Sequence, residues 1–298
     1  MDKLQLSAWI EEATAASLSL GRYSLRIQST DMGISESEMI HRMKNALKVM
    51  KEAINYGLTG VRSTGGLVGG DGLRLKTWHE TKNNPALLGP LAAKAAAYSI
   101  AANEANAAMG RICAAPTAGS SGVLPGVFFA IAEEKDLSED ELCLPLVTAG
   151  AIGMVIASRA SLSGAEGGCQ AECGSAAAMA AGAVVELLGG TPEQVGHAVA
   201  LALKNLLGLA CDPVAGLVEV PCVKRNAGAA TIALLAADMA LSGIKSVIPV
   251  DEVIDAMSEI GQAMSSSLRE TAMGGLAVTP TGLACAERIL GARNRNVD

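Results

Sequence analysis

The chain has 298 residues, of which 50% are apolar and only 2% aromatic, and its 23 basic and 30 acidic side chains give a net charge of −7. A chain of this length forms one large domain or two ordinary ones, and it buries a sizeable core without disulfides. No basic stripe with interleaved aromatic residues is present, which argues against nucleic acid as a partner. Because alanine, glycine, leucine and valine dominate, we expect many helices of small residues that pack closely.

The first residues, MDKLQLSAWIEEATAAS, carry acids where a secretory leader has a basic and then an apolar stretch. We therefore expect a protein of the reducing cytoplasm, whose seven cysteines are thiols or metal ligands and not a disulfide framework. The longest uncharged stretch, 142–158, contains Pro145, Gly150 and Gly153 and is short for a membrane span. It predicts a buried helix.

Helix start signals recur along the chain. Capping boxes at Ser35, Ser138 and Thr191 each precede a run with helical periodicity, and Pro192 suits a first helical position. Alternating β-branched runs are nearly absent, so the sequence predicts a mainly α fold, one large helical domain over 1–298. Residues 1–60 are expected to form a more loosely attached helical region. The apolar pattern predicts further helices over 86–109, 123–134, 174–188, 223–242 and 250–264.

Four stretches are too rich in Gly, Ser, Thr and Pro to be predicted as helical. Segments of this kind bring backbone close to a ligand, and functional residues concentrate in them. We therefore expect the active-site loops of the helical domain at 63–75, 113–126, 163–175 and 211–222.

Two of these loops hold Cys169, Cys211 and Cys222. Cys173 lies four residues after Cys169, but the paired C-x2-C spacing of structural zinc sites is missing. No histidine stands nearby to complete a zinc site. Soft thiolates without zinc spacing favour an iron–sulfur site among the metal sites, whereas burial as small apolar side chains is the alternative without a metal. The histidines of the chain are His41, His79 and His197.

The strings SGAEGGCQAE, CDPVAGLVEVPCVKRNA and APTAGSSGVLPG resemble the α chain of the iron–sulfur-dependent bacterial L-serine dehydratases, in the form with separate α and β chains. The resemblance runs from about residue 30 to residue 282 and includes TGGLVGGD and RETAMGGLAVTPTG. It implies that Cys169, Cys211 and Cys222 ligate a [4Fe–4S] cluster whose fourth iron binds substrate. It also implies deamination of L-serine to pyruvate and ammonia without pyridoxal phosphate, in a complex with a β chain.

In the light of this resemblance, the other loops become candidates for substrate binding. The stretch 117–122 precedes a helix, where free N–H groups and the helix dipole favour a carboxylate, although an ordinary turn capped by Ser121 is the alternative. Arg225 is a better bidentate carboxylate partner than Lys224, and a solvated helix start is the alternative for both. The predicted substrate-binding residues are Ser63, Thr64, Gly65, Thr117, Gly119, Ser120, Ser121, Asn205, Arg225 and Asn226.

The resemblance leaves the proton-transfer group open. Asn205 stands where single-chain relatives carry a histidine, so a histidine relay is not expected at that point. Lys76, Lys224 and a free thiol are the candidates for the catalytic base. Cys173 falls outside the ligand pattern, and Cys285 does not match in spacing the C-terminal cysteine that single-chain relatives place just after GGLAV.

Two other functions stay open at this point. A related iron–sulfur lyase acting on L-cysteine or L-threonine would use the same thiols and similar loops. A non-catalytic helical interaction protein would use its cysteines only for packing.

Overall fold

The structure, a computed structural model, describes residues 3–81 and 87–294, and it confirms the three predicted helix caps. The hydroxyl of Ser35 accepts a hydrogen bond from the backbone N–H of Glu38 at 3.1 Å and begins α3 (Glu36–Gly57). Capping boxes at Ser138 and Thr191 begin α7 (Glu139–Arg159) and α10 (Pro192–Lys204).

Helices make up 70% of the structure, and the described residues contain no β-strand, which confirms a single mainly α domain. Residue 86, where one predicted helix begins, lies outside the described residues, and that helix begins at Gly89. The other helices are α1 (Leu6–Ala15), α2 (Leu20–Asp31), α4 (Asp71–Glu80), α5 (Gly89–Ala107), α6 (Val123–Lys135), α8 (Gly164–Gly167), α9 (Ser175–Leu187), α11 (Cys222–Leu241), α12 (Val250–Ala263) and α13 (Pro280–Asn294).

The prediction that 63–75 and 163–175 contain no helix was wrong in parts of both segments. Helix α4 begins at Asp71 because the Glu104 carboxylate, on α5, accepts hydrogen bonds from the N–H groups of Asp71 at 2.8 Å and Gly72 at 3.2 Å. In the second segment α8 is followed by a π-helical turn, Gln170–Gly174, which runs directly into α9. Contacts with distant residues, and not local propensity, stabilise these short helical pieces.

Helix α5 lies at the centre of the fold, and its neighbours approach it through glycines. A Cβ atom added to Gly57 on α3 would lie 1.8 Å from the carbonyl oxygen of Ala101, and one added to Gly126 on α6 would lie 1.9 Å from Ser99 Oγ. A Cβ atom added to Gly72 on α4 would lie 2.7 Å from the backbone nitrogen of Ala101. Small side chains at a helix contact shorten the distance between the helix axes. The expected close packing of small-residue helices is therefore present around α5.

The first three helices contribute to the same core as the rest of the chain. Leu6, Leu20 and Leu47 are fully buried in the main hydrophobic cluster. The Asp251 carboxylate at the start of α12 accepts hydrogen bonds from the N–H groups of Leu6 at 2.9 Å and Ser7 at 3.2 Å. These contacts fasten the N-terminal end of α1 to α12.

Helix α7 is long and apolar enough to cross a membrane by length and composition, but 67% of its most apolar window is buried inside the fold. Its Leu142, Ile152 and Ile156 side chains have no exposed surface. The predicted buried helix over 142–158 is confirmed.

Candidate functional site

Three buried thiols from separate parts of the chain lie near one another. Cys169 follows α8, Cys211 lies in the loop after α10, and Cys222 is the first residue of α11, with exposures of 2%, 2% and 6%. Burial and then the neighbouring Cys169 and Glu172 raise the pKa of Cys222 to about 12, and the same causes raise the pKa of Cys211. Three thiols within electrostatic reach of one another, all shielded from water, therefore form one group.

Cys173 is a neighbour of this group. Its thiol interacts through a hydrogen bond with Cys169, which lowers the pKa of Cys169 and raises the pKa of Cys173, and burial raises the latter further. Cys173 lies in the π-helical turn, four residues after Cys169, and this spacing brings its thiol against that of Cys169.

The turn that carries Cys169 is fastened to the loop that carries Cys211 by Gln170. The backbone N–H of Gln170 donates to the carbonyl of Leu209 at 3.0 Å, and its side-chain oxygen accepts from the N–H of Gly208 at 2.9 Å. Its side-chain nitrogen donates to the carbonyl of Met257, on α12, at 3.0 Å. Since Gln170 is 1% exposed, these bonds are made in the protein interior and fix the two cysteine segments together.

Arg225 connects the same segments through its guanidinium group. It donates to the Asp212 carboxylate at 2.8 Å and to the carbonyl of Ala210 at 2.5 Å, and it hydrogen-bonds with Cys169. The second Asp212 oxygen accepts from the N–H of Leu276 at 2.8 Å, which attaches the GGLAV segment. Arg225, which the sequence predicts to bind the substrate carboxylate, therefore lies next to the thiols. Its guanidinium already donates hydrogen bonds to Asp212 and to the carbonyl of Ala210.

The loop 117–122 is held from two helices. The Asn226 side chain, on α11, donates to the carbonyl of Gly119 at 2.8 Å and accepts from the N–H of Gly122 at 3.0 Å. Asn103, on α5, donates to the same Gly119 carbonyl at 3.2 Å and to the Ser121 hydroxyl at 3.3 Å. The cap of α6 is Gly122 and not Ser121.

Within this loop, the backbone N–H groups of Gly119 and Ser120 donate no hydrogen bond to any residue that the structure describes. Both residues are buried. Buried N–H groups without a partner are rare in proteins, and adjacent ones form an anion-binding position.

Glu172 is a functional candidate that the sequence reasoning missed. Its carboxylate accepts a hydrogen bond from the Thr117 hydroxyl at 2.7 Å and lies 3.9 Å from the thiol of Cys211. Burial raises the pKa of Glu172, and the Thr117 hydrogen bond opposes that shift. Its position three residues after Cys169, as the one acid inside GCQAEC, was the available sequence signal.

Glu270 brings a second carboxylate to the same place. Ligand atoms of Glu172, Cys211 and Glu270 all lie within 4.8 Å of one another. The N–H of Glu270 donates to the carbonyl of Cys211 at 2.7 Å, and its φ of 63° is a left-handed conformation that non-glycine residues seldom adopt. The contact with Cys211 therefore holds a strained residue in place.

The loop that contains Ser63, Thr64 and Gly65 is attached to the segment before Cys222. The Glu219 carboxylate, 3% exposed, accepts from the Ser63 hydroxyl and from the N–H of Gly65, each at 2.6 Å. The hydroxyl and the N–H of Thr64 both donate to the carbonyl of Ala107. The hydroxyl hydrogen of Ser63 is thus used by a structural contact.

The remaining predicted residues lie in other surroundings. Lys76 pairs with Glu80 on α4 at 2.5 Å, and Lys224 pairs with Asp71 at 2.5 Å. Asn205 is exposed and donates to the carbonyl of Leu201 at 2.8 Å. Cys285 is a partly exposed residue of α13. Across 3–81 and 87–294, no hydrogen bond or ion pair joins these four residues to the three thiols.

The donor atoms of the group suit a thiophilic metal centre. The three buried sulfurs, with no histidine among them, are the soft donors that iron–sulfur centres use, and Cys173 is a fourth thiol beside them. Glu172 and Glu270 add hard oxygen donors at one side.

Comparison with known proteins adds independent findings. A family model described as serine dehydratase alpha chain matches residues 3–277. A protein of Bacillus subtilis named probable L-serine dehydratase, alpha chain, is 55% identical over 86% of this chain and 85% of its own length. The L-serine dehydratase alpha chain of Peptoniphilus asaccharolyticus is 48% identical over 71% of this chain and 73% of its own, and L-serine dehydratase 1 of Escherichia coli is 46% identical over 61% and 40%.

Proposed function

We propose that this chain, which belongs to the serine dehydratase alpha-chain family, deaminates L-serine to pyruvate and ammonia together with a separate β chain. The family that the sequence motifs predicted is confirmed by the match over residues 3–277. The substrate is supported by the names of the relatives, and the β chain by their naming as alpha chains. Free thiols in a buried site suit the cytoplasm, where we place the enzyme.

The observation that carries the proposal is the group of buried thiols at Cys169, Cys211 and Cys222. We infer that these three hold a [4Fe–4S] cluster, because their sulfurs are the soft donors that such clusters use. When bound, the cluster supplies an iron without a protein ligand, a Lewis acid that makes hydroxide a tolerable leaving group. Arg225 and Gln170 keep the three cysteine segments at fixed positions relative to one another.

Substrate orientation is assigned to the loop 117–122. The free, buried N–H groups of Gly119 and Ser120 are placed to bind the α-carboxylate of L-serine. Asn226 and Asn103 hold the Gly119 carbonyl, so these amides are oriented before substrate arrives. Such preorganisation reduces the entropy lost when substrate and reacting groups come together.

Proton transfer is assigned to Glu172. Its carboxylate lies between the Thr117 hydroxyl and Cys211, next to the proposed carboxylate site, whereas Lys76 and Lys224 are held in ion pairs with Glu80 and Asp71. Glu172 would take the α-proton while the β-hydroxide leaves, and would then pass that proton to the hydroxide, which gives aminoacrylate and water with Glu172 ionised again. Aminoacrylate tautomerises to iminopropionate, and its hydrolysis gives pyruvate and ammonia.

The proposal is tested by anaerobic reconstitution of the chain with iron, sulfide and the β chain. We expect visible absorption of a thiolate-bound cluster together with serine deaminase activity, and loss of both in Cys169→Ser. Cys143→Ser is the matched control, because Cys143 is also buried but donates only to the carbonyl of Glu139 within α7. A colourless protein with full activity, or equal effects of the two substitutions, would contradict the proposal.

A further inference from the structure

A cavity apart from the loop 117–122 lies between the end of α7, α8 and α12. Its volume is about 240 Å³, smaller than the roughly 300–1,000 Å³ of sites for drug-sized ligands. Polar groups from three elements line it, so its size and lining fit a small polar molecule. Among these groups are Arg159, Ser161, Glu166, Ser258 and Gln262.

Arg159 lines this cavity and carries one side-chain donor without a partner in the described chain. Its side chain is only 10% exposed, and its terminal nitrogens donate to Asp255 at 2.5 Å and to the carbonyl of Leu4 at 3.0 Å. The Nε atom is buried and has no hydrogen-bond partner among the residues that the structure describes. A buried donor without an acceptor is unfavourable, so an acceptor supplied by a ligand would be bound favourably here.

The charges around Arg159 show what kind of acceptor fits. Asp255 pairs with both Arg159 and Lys3, so one carboxylate is shared between two cations. A ligand carboxylate would add a second partner for Arg159 and match its planar guanidinium. Glu166, on α8, also lines the cavity, and its carboxylate accepts no hydrogen bond from the described part of the chain. It offers an acceptor for a ligand ammonium group.

We propose that this cavity binds a small α-amino acid as a zwitterion, with its carboxylate on Arg159 and its ammonium group on Glu166. The cavity is also lined by Gln170 and Ala171, which directly follow Cys169. An amino acid bound there would contact the turn that fixes Cys169 to the loop of Cys211. The site is separate from the proposed substrate site and does not depend on the proposed reaction.

The test uses the full chain and L-alanine, a zwitterion without a β-hydroxyl to eliminate. Isothermal titration is expected to show saturable binding of one L-alanine per chain at this site, with weaker binding of pyruvate, which lacks the ammonium group, and of ethanolamine, which lacks the carboxylate. In the presence of L-alanine, the exchange of backbone amide hydrogens with solvent should slow at 158–162 and 257–262. Protection confined to 117–122 and 222–226 would place the ligand at the thiol site and overturn the proposal.

Two substitutions locate the binding groups. Ser258→Leu fills the cavity while leaving the Arg159–Asp255 pair intact, because the Ser258 hydroxyl only accepts a 3.4 Å hydrogen bond from Gln262. It should weaken L-alanine binding at least about tenfold. Glu166→Gln should weaken it about threefold, as expected for an exposed ion pair, and should bring alanine and pyruvate closer in affinity.

Glu259→Gln is the matched control for Glu166→Gln, since Glu259 is an exposed glutamate of α12 outside the cavity lining. It should leave L-alanine binding unchanged. Unchanged affinity in both Ser258→Leu and Glu166→Gln, or no saturable binding by the wild-type chain, would overturn the proposal. Melting temperatures of the variants show that each chain is folded.

Discussion

The helical core around α5 and the thiol site are built in different ways. In the core, whole helices meet through glycine and alanine, as where Gly57 and Gly72 contact the backbone of Ala101. In the site, irregular segments are held by single buried side chains that bond to backbone, as Gln170 and Asn226 do. The stability of the core therefore depends on how well many small side chains fill its volume. The geometry of the site depends instead on a few buried hydrogen bonds, and no neighbouring group can replace them.

The largest effect that would sharpen this comparison is expected at Glu172. Glu172→Gln keeps the size of the side chain and an acceptor for the Thr117 hydroxyl but removes the proposed proton acceptor. We expect kcat to fall by about 10²–10⁴-fold, with iron content and visible absorption of the reconstituted enzyme unchanged.

The unchanged iron content is the informative part of that experiment. Glu172 shares a possible metal-binding position with Cys211 and Glu270. If Glu172→Gln lost iron in parallel with activity, its role would be ligation and not proton transfer. Wild-type kcat in the variant would remove Glu172 from the reaction altogether.

The difference between the helical core and the thiol site also explains which features could be predicted from the sequence. The caps at Ser35, Ser138 and Thr191 were predictable because donor and acceptor are three residues apart, and the structure confirms the helices that they begin. The start of α4 was not, because its cap is Glu104, a residue 33 positions away. Local patterns thus define the helices, and contacts distant in sequence define where short helical pieces begin.

The site was predictable only where sequence strings carry a family resemblance. That resemblance selected Cys169, Cys211 and Cys222, and the structure brings their thiols together. The resemblance did not identify Glu172 or Glu219. Their hydrogen-bond partners lie 55 and 156 residues away in sequence, and no local pattern indicates contacts between such distant residues. The engagement of Arg225 with Asp212 was missed for the same reason.

An intermediate effect is expected from one glycine substitution in the core, which is compared with one at an exposed helical position. Gly57→Ala places a Cβ atom 1.8 Å from the Ala101 carbonyl oxygen and pushes α3 from α5, which should lower the free energy of unfolding by about 1–3 kcal/mol. Gly228→Ala, on α11, meets no atom within 4 Å and should raise it by about 0.5–1 kcal/mol through higher helix propensity. Chemical denaturation of both variants measures the difference.

Deaminase activity of the reconstituted Gly228→Ala variant checks that the change on α11 leaves the site intact. We expect Gly228→Ala to keep wild-type kcat, because its added methyl group contacts nothing. If the two variants lost the same free energy of unfolding, the close contact of α3 with α5 would not be the reason why glycine is needed at position 57.

The smallest effect concerns a partly buried carboxylate at the edge of the core, Glu186 on α9, the counterpart of Glu172 in the site. Burial raises the pKa of Glu186, and its hydrogen bonds, including one from the N–H of Gly21 at 3.2 Å, oppose the shift. Since its folded-state pKa lies above the value of about 4.3 for an unfolded glutamate, the folded chain binds more protons in the interval between the two. Its contribution to stability is therefore present at low pH and lost as pH rises through that interval.

Glu186→Gln removes this titration and keeps an acceptor for Gly21. The melting temperature of the variant relative to wild type should rise as pH increases above about 4.3 and then level off once the wild-type carboxyl is ionised. Melting curves recorded at matched pH values for the two proteins give this difference directly. A constant difference across the range would mean that Glu186 titrates alike in the folded and unfolded chain, so that burial in the core leaves its proton affinity unaltered.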